Sequence, residues 1–207
     1  MPFNISILRM PPENTNSVLV DNGVDAVIFD PWGSAKDLES LLRGRGLTLR
    51  SIYATHGHYD HLTIIPKIKI PWYLNHADLP LIKWSNPILF MHGFGTIDAK
   101  KNPPINIVPG EIEIIGLKCE VIHTPGHSAG SVCFYFPTEK TLISGDTLFR
   151  NTIGRMDLPG SSEPAMRKSI RNMRERDFPD DTLVIPGHGR TGKFSDLKKE
   201  NNFLQSW

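Results

Sequence analysis

The chain has few cysteines, no long apolar run and no excess of charge of either sign. Of its 207 residues only two are cysteine, Cys119 and Cys133, and both lie among apolar residues in strand-like segments. A disulfide framework is therefore excluded as the main source of stability, and we predict reduced, buried thiols. No stretch has the apolar length needed to cross a bilayer, so we predict no membrane association.

The charges nearly cancel, since 23 Lys and Arg residues face 22 Asp and Glu residues for a formal net charge of +1. The densest basic run, residues 167–176, is spaced as the solvated face of a helix with Met166, Ile170 and Met173 on the opposite stripe. We therefore predict no nucleic-acid partner. The first ten residues lack a basic region followed by an apolar run of signal-peptide length, which predicts a cytoplasmic protein.

Short β-branched runs bounded by turn residues predict a chain made mainly of strands. Predicted strands span residues 4–9, 17–20, 26–30, 51–55, 71–75, 111–115, 117–123, 131–136, 141–144 and 183–185. Predicted helices span residues 34–46, 76–84, 162–176 and 195–204, and residues 85–109, rich in Pro, Gly and Asn, predict a long loop. These blocks indicate one α+β domain over residues 1–207, with two sheets packed face to face and helices outside, an αββα sandwich.

The most informative segment is residues 55–61, which read THGHYDH. On a helix, His56 and His58 would point about 200° apart, whereas on an extended chain they point to the same side. They can therefore hold one metal ion only on an extended or looped backbone. Asp60 shares their side, while His61 faces elsewhere unless the chain turns. One ion is possible, and two ions fit donors that face two directions.

Three further segments carry possible metal ligands directly after predicted strands. They read TPGHS at 124–128, SGDT at 144–147 and PGHG at 186–189, and each has a glycine immediately before a His or Asp. They add His127, Asp146 and His188 to the donor set, which reaches the seven or so donors that two ions require. We interpret His123 as a core histidine or one that supports a ligand, and His76 and His92 as surface residues.

The order of these donors resembles the pattern of the metallo-β-lactamase superfamily: HxHxDH, then a His, an Asp and a His. Position by position, the resemblance implies one ion held by His56, His58 and His127, a second held by Asp60, His61 and His188, and Asp146 as the bridge. It implies two divalent ions, with zinc as the predicted metal and iron or manganese as alternatives. A metal-bound hydroxide, oriented by Asp60, would then hydrolyse an acyl bond.

Residues 144–161, SGDTLFRNTIGRMDLPGS, are similar to the glyoxalase II (hydroxyacylglutathione hydrolase) branch. That branch places a glutathione-contacting basic residue nine positions after the bridging Asp, here Arg155. It has a tyrosine two positions after its last ligand, where this chain has Arg190, and a further helical domain where only 19 residues follow His188. We predict a small-molecule thioester or related acyl substrate contacted by Arg155 and Arg190, and leave glutathione recognition and oligomeric state open.

Two other functions are compatible with parts of the sequence. Persulfide dioxygenases resemble the chain at the same motifs and in the GRMD segment at residues 154–157, but they use one iron and oxygen. A metal-binding protein that serves interaction rather than turnover is the third reading. A non-catalytic descendant has no reason to keep all seven ligands, so we favour the hydrolase.

Overall fold

A six-stranded mixed sheet forms the centre of each half of the chain. The computed structural model describes residues 3–9 and 14–207, so part of the segment on which the signal-peptide prediction rests lies outside the described residues. The chain divides into two compact units, Met1–Ile107 and Val108–Trp207. The single domain over residues 1–207 stays a prediction.

The sheet of the first unit follows chain order. Its strands are β1 (Asn4–Arg9), β2 (Asn16–Asp21), β3 (Asp25–Phe29), β4 (Thr48–Tyr53), β5 (Trp72–Leu74) and β6 (Ile105–Asn106). The first three are antiparallel, and β3 to β6 are parallel. Asp21 and Asn22 fix the β2–β3 turn, because their side chains accept bonds from the backbone N–H groups of residues 23–25. Parallel pairing places the carboxyl ends of β3 and β4 at one edge.

Two helices accompany this sheet. Helix α1 (Ala35–Arg45) buries Leu38 and Leu42 and ends at Gly46, which adopts the left-handed conformation typical of a helix end. A 3-10 turn (His76–Asp78) leads into α2 (Leu79–Met91). The sheet and helices share one core of buried aliphatic side chains and Trp72.

The predicted loop over residues 85–109 is wrong at its start, because α2 continues to Met91 with Pro87 inside it. Proline removes one helical hydrogen bond and predicts a break. Here Leu89 is fully buried in the core, Ser85 donates a 2.8 Å hydrogen bond to the Gly57 carbonyl, and the Asn86 side chain bonds the backbone of Ile97. These tertiary contacts outweigh the local cost of the proline.

The sheet of the second unit has the order β12-β11-β10-β9-β8-β7. Its strands are β7 (Gly110–Ile114), β8 (Leu117–His123), β9 (Val132–Phe136), β10 (Thr141–Gly145), β11 (Leu183–Pro186) and β12 (Gly192–Lys193). Only the β10–β11 pair is parallel. The segments that follow β10 and β11 therefore begin at neighbouring positions of the same edge. Cys119 and Cys133 are buried and form no disulfide, and burial raises the pKa of the Cys119 thiol.

Helix α3 (Glu163–Glu175) begins at Ser162, whose side chain accepts a hydrogen bond from Ala165 N, and it buries the predicted stripe of Met166, Ile170 and Met173. The predicted helix over residues 195–204 is instead two helices, α4 (Phe194–Glu200) and α5 (Asn202–Ser206). Asn201 breaks it, because its side chain caps α5 and donates to the carbonyls of Phe149 and Thr152. No helix in the described part of the chain is long and apolar enough to span a membrane.

Candidate metal centre

The histidine motif starts two residues after β4 and follows a non-helical path until a 3-10 turn at Tyr59–His61. The rings of His56 and His58 lie 4.7 Å apart between centroids, so these two side chains face a shared space, as their spacing requires of a looped backbone. The turn brings the His61 ring within 4.1 Å of the His56 ring, and His61 Nε2 lies 3.5 Å from Asp60 Oδ2. The first unit therefore gathers four donors that could hold metal.

Hydrogen bonds fix which ring nitrogens point toward this space. The Thr55 hydroxyl donates to Asp30 Oδ2 at 2.8 Å, so its oxygen accepts the proton of His56 Nδ1 at 3.0 Å. His61 Nδ1 lies 3.1 Å from the same Asp30 oxygen. In His56, Nε2 is thus the nitrogen that carries the lone pair, and the His61 ring likewise turns its Nδ1 toward Asp30. Metal-ligating histidines are typically oriented by such contacts on their other nitrogen.

Asp30 is a functional residue that the sequence analysis missed. It is almost fully buried directly after β3, with φ of 48°, and it accepts bonds from both the backbone N–H and the hydroxyl of Thr55. Because β3 and β4 are parallel neighbours, the residues after them meet. The sequence does show an acidic residue at the end of an apolar strand. It does not show that β3 pairs with β4, which is what brings Asp30 to Thr55.

Replacing Asp30 with alanine is expected to weaken metal binding by about 10- to 100-fold, as the loss of a ligand-orienting group typically does. It also leaves two buried Thr55 donors without their acceptor, which should lower the free energy of unfolding by about 3 kcal/mol. Metal titration and urea unfolding measure the two effects. The exposed Asp37 of α1, replaced by alanine, is the matched control. Unchanged metal affinity in Asp30→Ala would refute the orienting role.

Gly57 lets the motif approach the segment around α2 closely. Its N–H donates to Asp78 Oδ2 at 2.8 Å, and its carbonyl accepts from Ser85 Oγ at 2.8 Å. A Cβ on Gly57 would lie about 3.0 Å from Asp78 and 3.1 Å from Leu81. The glycine is required by space rather than by an unusual backbone angle.

The second unit supplies the other three predicted donors. Asp146 directly follows β10, His188 lies two residues after β11, and His127 lies four residues after β8. Asp146 Oδ2 lies 3.5 Å from His127 Nε2 and 3.8 Å from His188 Nε2. One carboxylate oxygen is thus placed between two imidazole nitrogens. This arrangement suits a carboxylate shared by two metal ions, because each imidazole could ligate a different ion beside it.

The surroundings of His127 fix its orientation. Its Nδ1 donates to the Arg155 carbonyl at 2.8 Å, which directs Nε2 toward Asp146. Gly126, with φ of 149°, packs so tightly on Met166 of α3 that no side chain fits there. Gly145 also has a positive φ, whereas Gly187 does not use one. Two of the three predicted glycine turns therefore depend on glycine's backbone freedom.

The two arginines predicted to contact substrate lie in different electrostatic surroundings. The Arg155 guanidinium donates bonds of 2.7 and 2.6 Å to the Asp157 carboxylate, and both side chains are exposed. Arg190 is exposed and lines a cavity beside His188. Arg155 is therefore largely neutralised by its partner, and the substrate contact of both residues stays a prediction.

The remaining histidines lie at the surface. His123 is exposed and its Nε2 lies 3.0 Å from the Ala129 carbonyl, so the core position predicted for it is wrong, although it does contact the loop that carries His127. Alternation along β8 groups His123 with the buried Leu117, Cys119 and Val121, but His123 is the last residue of the strand and is exposed. His76 and His92 are exposed as predicted. The His92 ring stacks on Tyr59, inside the motif, at 5.9 Å.

The Arg155–Asp157 pair predicts an unusual titration. The Arg155 guanidinium lowers the pKa of Asp157 from 3.8 to about 2. Because the folded-state pKa is depressed, the pair stabilises the fold above about pH 4 and loses this effect as pH falls toward 2. We expect the Asp157 carboxyl resonance to titrate near 2 by NMR, and to return to its ordinary range in Arg155→Met. A midpoint near 3.8 in the unaltered protein would contradict the pairing.

Comparisons with known proteins agree on one family. The family model described as the metallo-beta-lactamase superfamily matches residues 10–188. The probable metallo-hydrolase YqgX of Bacillus subtilis is 30% identical over 96% of this chain and 97% of its own. The hydroxyacylglutathione hydrolase GloC of Haemophilus influenzae is 31% identical over 99% of each chain.

Solved structures match the fold over nearly the whole chain. The B3 metallo-beta-lactamase BLEG-1 superposes with a TM-score of 0.82 at 31% identity, covering 99% of this chain and all of that one. TTHA1623 in a di-iron-bound form gives a TM-score of 0.79 at 33% identity, covering 96% of this chain and all of that one. The predicted α+β class, with two mixed sheets flanked by helices, is confirmed.

Proposed function

The chain belongs to the metallo-beta-lactamase superfamily, and from that premise we propose that it is a binuclear metallohydrolase that cleaves a thioester or related acyl bond. The observation that carries the proposal is Asp146 Oδ2, placed 3.5 Å and 3.8 Å from the Nε2 atoms of His127 and His188. A carboxylate oxygen between two imidazoles is the expected arrangement of a bridging ligand. The four donors of the first unit supply the remaining ligands that two ions need.

The chemistry of the donor set fits two divalent ions. Five imidazoles and two carboxylates suit zinc, iron or manganese, and we propose zinc, with iron supported by the di-iron-bound relative. We propose that one ion is held by His56, His58 and His127, and the other by Asp60, His61 and His188. We propose Nε2 as the ligating atom in His56 and His127, because Nδ1 of each ring is held by a hydrogen bond, to the Thr55 hydroxyl and the Arg155 carbonyl respectively. We propose the same for His61, whose Nδ1 lies 3.1 Å from Asp30 Oδ2.

When bound, such ions lower the pKa of a coordinated water toward about 7 and polarise a carbonyl oxygen. We propose that Asp60 orients the attacking water and receives its proton, since its Oδ2 lies beside His61 Nε2 in the half-buried turn. A thiolate leaves without a strong general acid, which supports a thioester as substrate. The GxSxG match at residues 126–130, GHSAG, supplies no serine nucleophile instead, because Ser128 is fully buried and its hydroxyl is hydrogen-bonded to the Ser131 hydroxyl at 2.7 Å.

Similarity to GloC supports an acyl thioester, because that relative is named a hydroxyacylglutathione hydrolase. We propose that the thiol portion of the substrate lies against Arg190, with Arg155 contributing less charge because Asp157 holds it. We also propose a cytoplasmic location, in keeping with two buried cysteines that form no disulfide.

A panel assay tests the proposal. The purified, metal-loaded protein is offered lactoylglutathione, a simple acetyl thioester, a lactone, a β-lactam and glutathione persulfide. We expect hydrolysis of the thioesters with release of free thiol. Sulfite formed from glutathione persulfide would establish the persulfide dioxygenase instead, and an inert protein would support the interaction protein.

A further inference from the structure

A cavity of about 690 Å³ opens in the second unit beside His188. Its walls are residues 149–152, residues 188–190 and Glu200. The Phe149 ring lies 6.4 Å from the His188 ring, so the cavity borders a proposed metal ligand directly. A substrate group held there would be close to the bond that is cleaved.

The cavity wall is held by Asn201, which is fully buried at the junction of α4 and α5. Its side-chain amide donates to the carbonyls of Phe149 and Thr152 at 3.0 and 2.8 Å, and Phe149 N donates to Thr152 O across the loop. The loop after Asp146 is thus tied to the last helices at both of its ends. These bonds hold the backbone that carries Arg150 in place.

Three charged side chains line the cavity, and two of them neutralise each other. Arg150 donates two bonds of 2.7 Å to the two oxygens of Glu200, a bidentate pair. Arg150 also holds the pKa of Glu200 below its ordinary value, so this carboxylate stays ionised at neutral pH. Within the described residues, Arg190 has no ion-pair partner, and it remains the cavity's one uncompensated cation.

We propose that this cavity receives the thiol portion of the substrate and selects a thiol bearing one carboxylate. Arg150 is already paired with Glu200, so only Arg190 is left to bind a carboxylate of the substrate. This inference rests on the proposed thioester hydrolysis and adds the charge of its substrate. A second carboxylate would have to displace Glu200 from two charge-assisted bonds. Glu200 is therefore a specificity-determining residue, although it touches neither metal nor scissile bond.

The test compares acetyl thioesters of three thiols: N-acetylcysteamine (neutral), 3-mercaptopropionate (one carboxylate) and mercaptosuccinate (two carboxylates). At low ionic strength we expect kcat/KM for the single carboxylate to exceed that of the neutral ester by about tenfold. The second carboxylate should add less than about twofold. Arg190→Gln should remove the preference for one carboxylate.

Glu200→Gln releases Arg150 and should raise the ratio of dianionic to monoanionic kcat/KM by about tenfold. Glu163→Gln is the matched control, because it also frees an arginine, Arg167, from a two-bond pair, on α3 outside the cavity. It should leave the ratio unchanged. Equal use of the three esters by the unaltered protein, or a Glu200→Gln ratio equal to that of the control, overturns the inference while thioester hydrolysis stands.

The S-methyl thioethers of the same three thiols contain no thioester bond, so they test the anion site separately from hydrolysis. Their binding is measured by calorimetry. We expect the 3-mercaptopropionate thioether to bind and to lose about tenfold in affinity in Arg190→Gln. If no thioester is hydrolysed but this pattern holds, the proposed function fails and the anion site stands. If the thioethers bind equally or not at all, the anion site is refuted.

Discussion

Replacing Asp146 with alanine is expected to reduce turnover by about a thousandfold or more, since the proposed reaction depends on metal that we propose this residue holds. Its Oδ2 is the only carboxylate oxygen of the second unit, among the described residues, that lies within ion-pair distance of both His127 and His188. Without it, each imidazole keeps its position but the two have no shared anionic ligand. Initial rates and elemental analysis of the same preparation measure the loss, and both should fall together.

The control for this variant is Asp180→Ala. Asp180 is exposed and its carboxylate contacts only Lys198 at 3.4 Å among the described side chains, so its loss should change neither rate nor metal content. Thermal unfolding of both variants shows that each is folded. Near-normal turnover with full metal content in Asp146→Ala would refute the bridging role.

Gly154→Ala is expected to have the second-largest effect on turnover, although glycine has no side chain that could take part in the reaction. A Cβ at this position would overlap the Asp146 backbone carbonyl and lie 3.0 Å from Cγ and Nδ1 of the His127 ring. The next residue, Arg155, supplies the carbonyl that orients His127, so relieving the overlap moves both proposed ligands. We expect a loss of about 1–3 kcal/mol in the free energy of unfolding and about 100-fold in kcat.

Gly44→Ala, in α1, provides the comparison for Gly154→Ala. No heavy atom lies within 4 Å of a Cβ built there, and the helical backbone accepts alanine readily. This variant should therefore be stabilised by about 0.5–1 kcal/mol with unchanged turnover. If Gly154→Ala is as active and as stable as Gly44→Ala, the close packing around Asp146 and His127 has no functional consequence.

Local patterns were sufficient to predict most strands and every proposed ligand. The segments that became β1, β2 and β3 are short runs of apolar, β-branched residues bounded by turn residues, and such patterns depend on neighbours in the chain. The ligands could be proposed because each follows a strand end and because their order resembles a known family. Both signals are contained in short segments of sequence.

The residues that support the ligands could not be predicted, because their roles depend on distant contacts. Asp30 acts through Thr55 and His61, which reach it only because β3 and β4 pair in parallel. Asn201 joins the last helices to a loop about 50 residues earlier in the chain, and its capping and bracing roles both require that fold. Pro87 favoured a helix that ends before it, whereas tertiary packing lets α2 continue through Pro87 to Met91.

The number of divalent ions bound per chain, measured by elemental analysis after dialysis against metal-free buffer, tests the proposed binuclear site most directly. The five imidazoles and two carboxylates proposed as ligands predict two ions per chain in the unaltered protein. A single iron per chain would contradict the binuclear hydrolase.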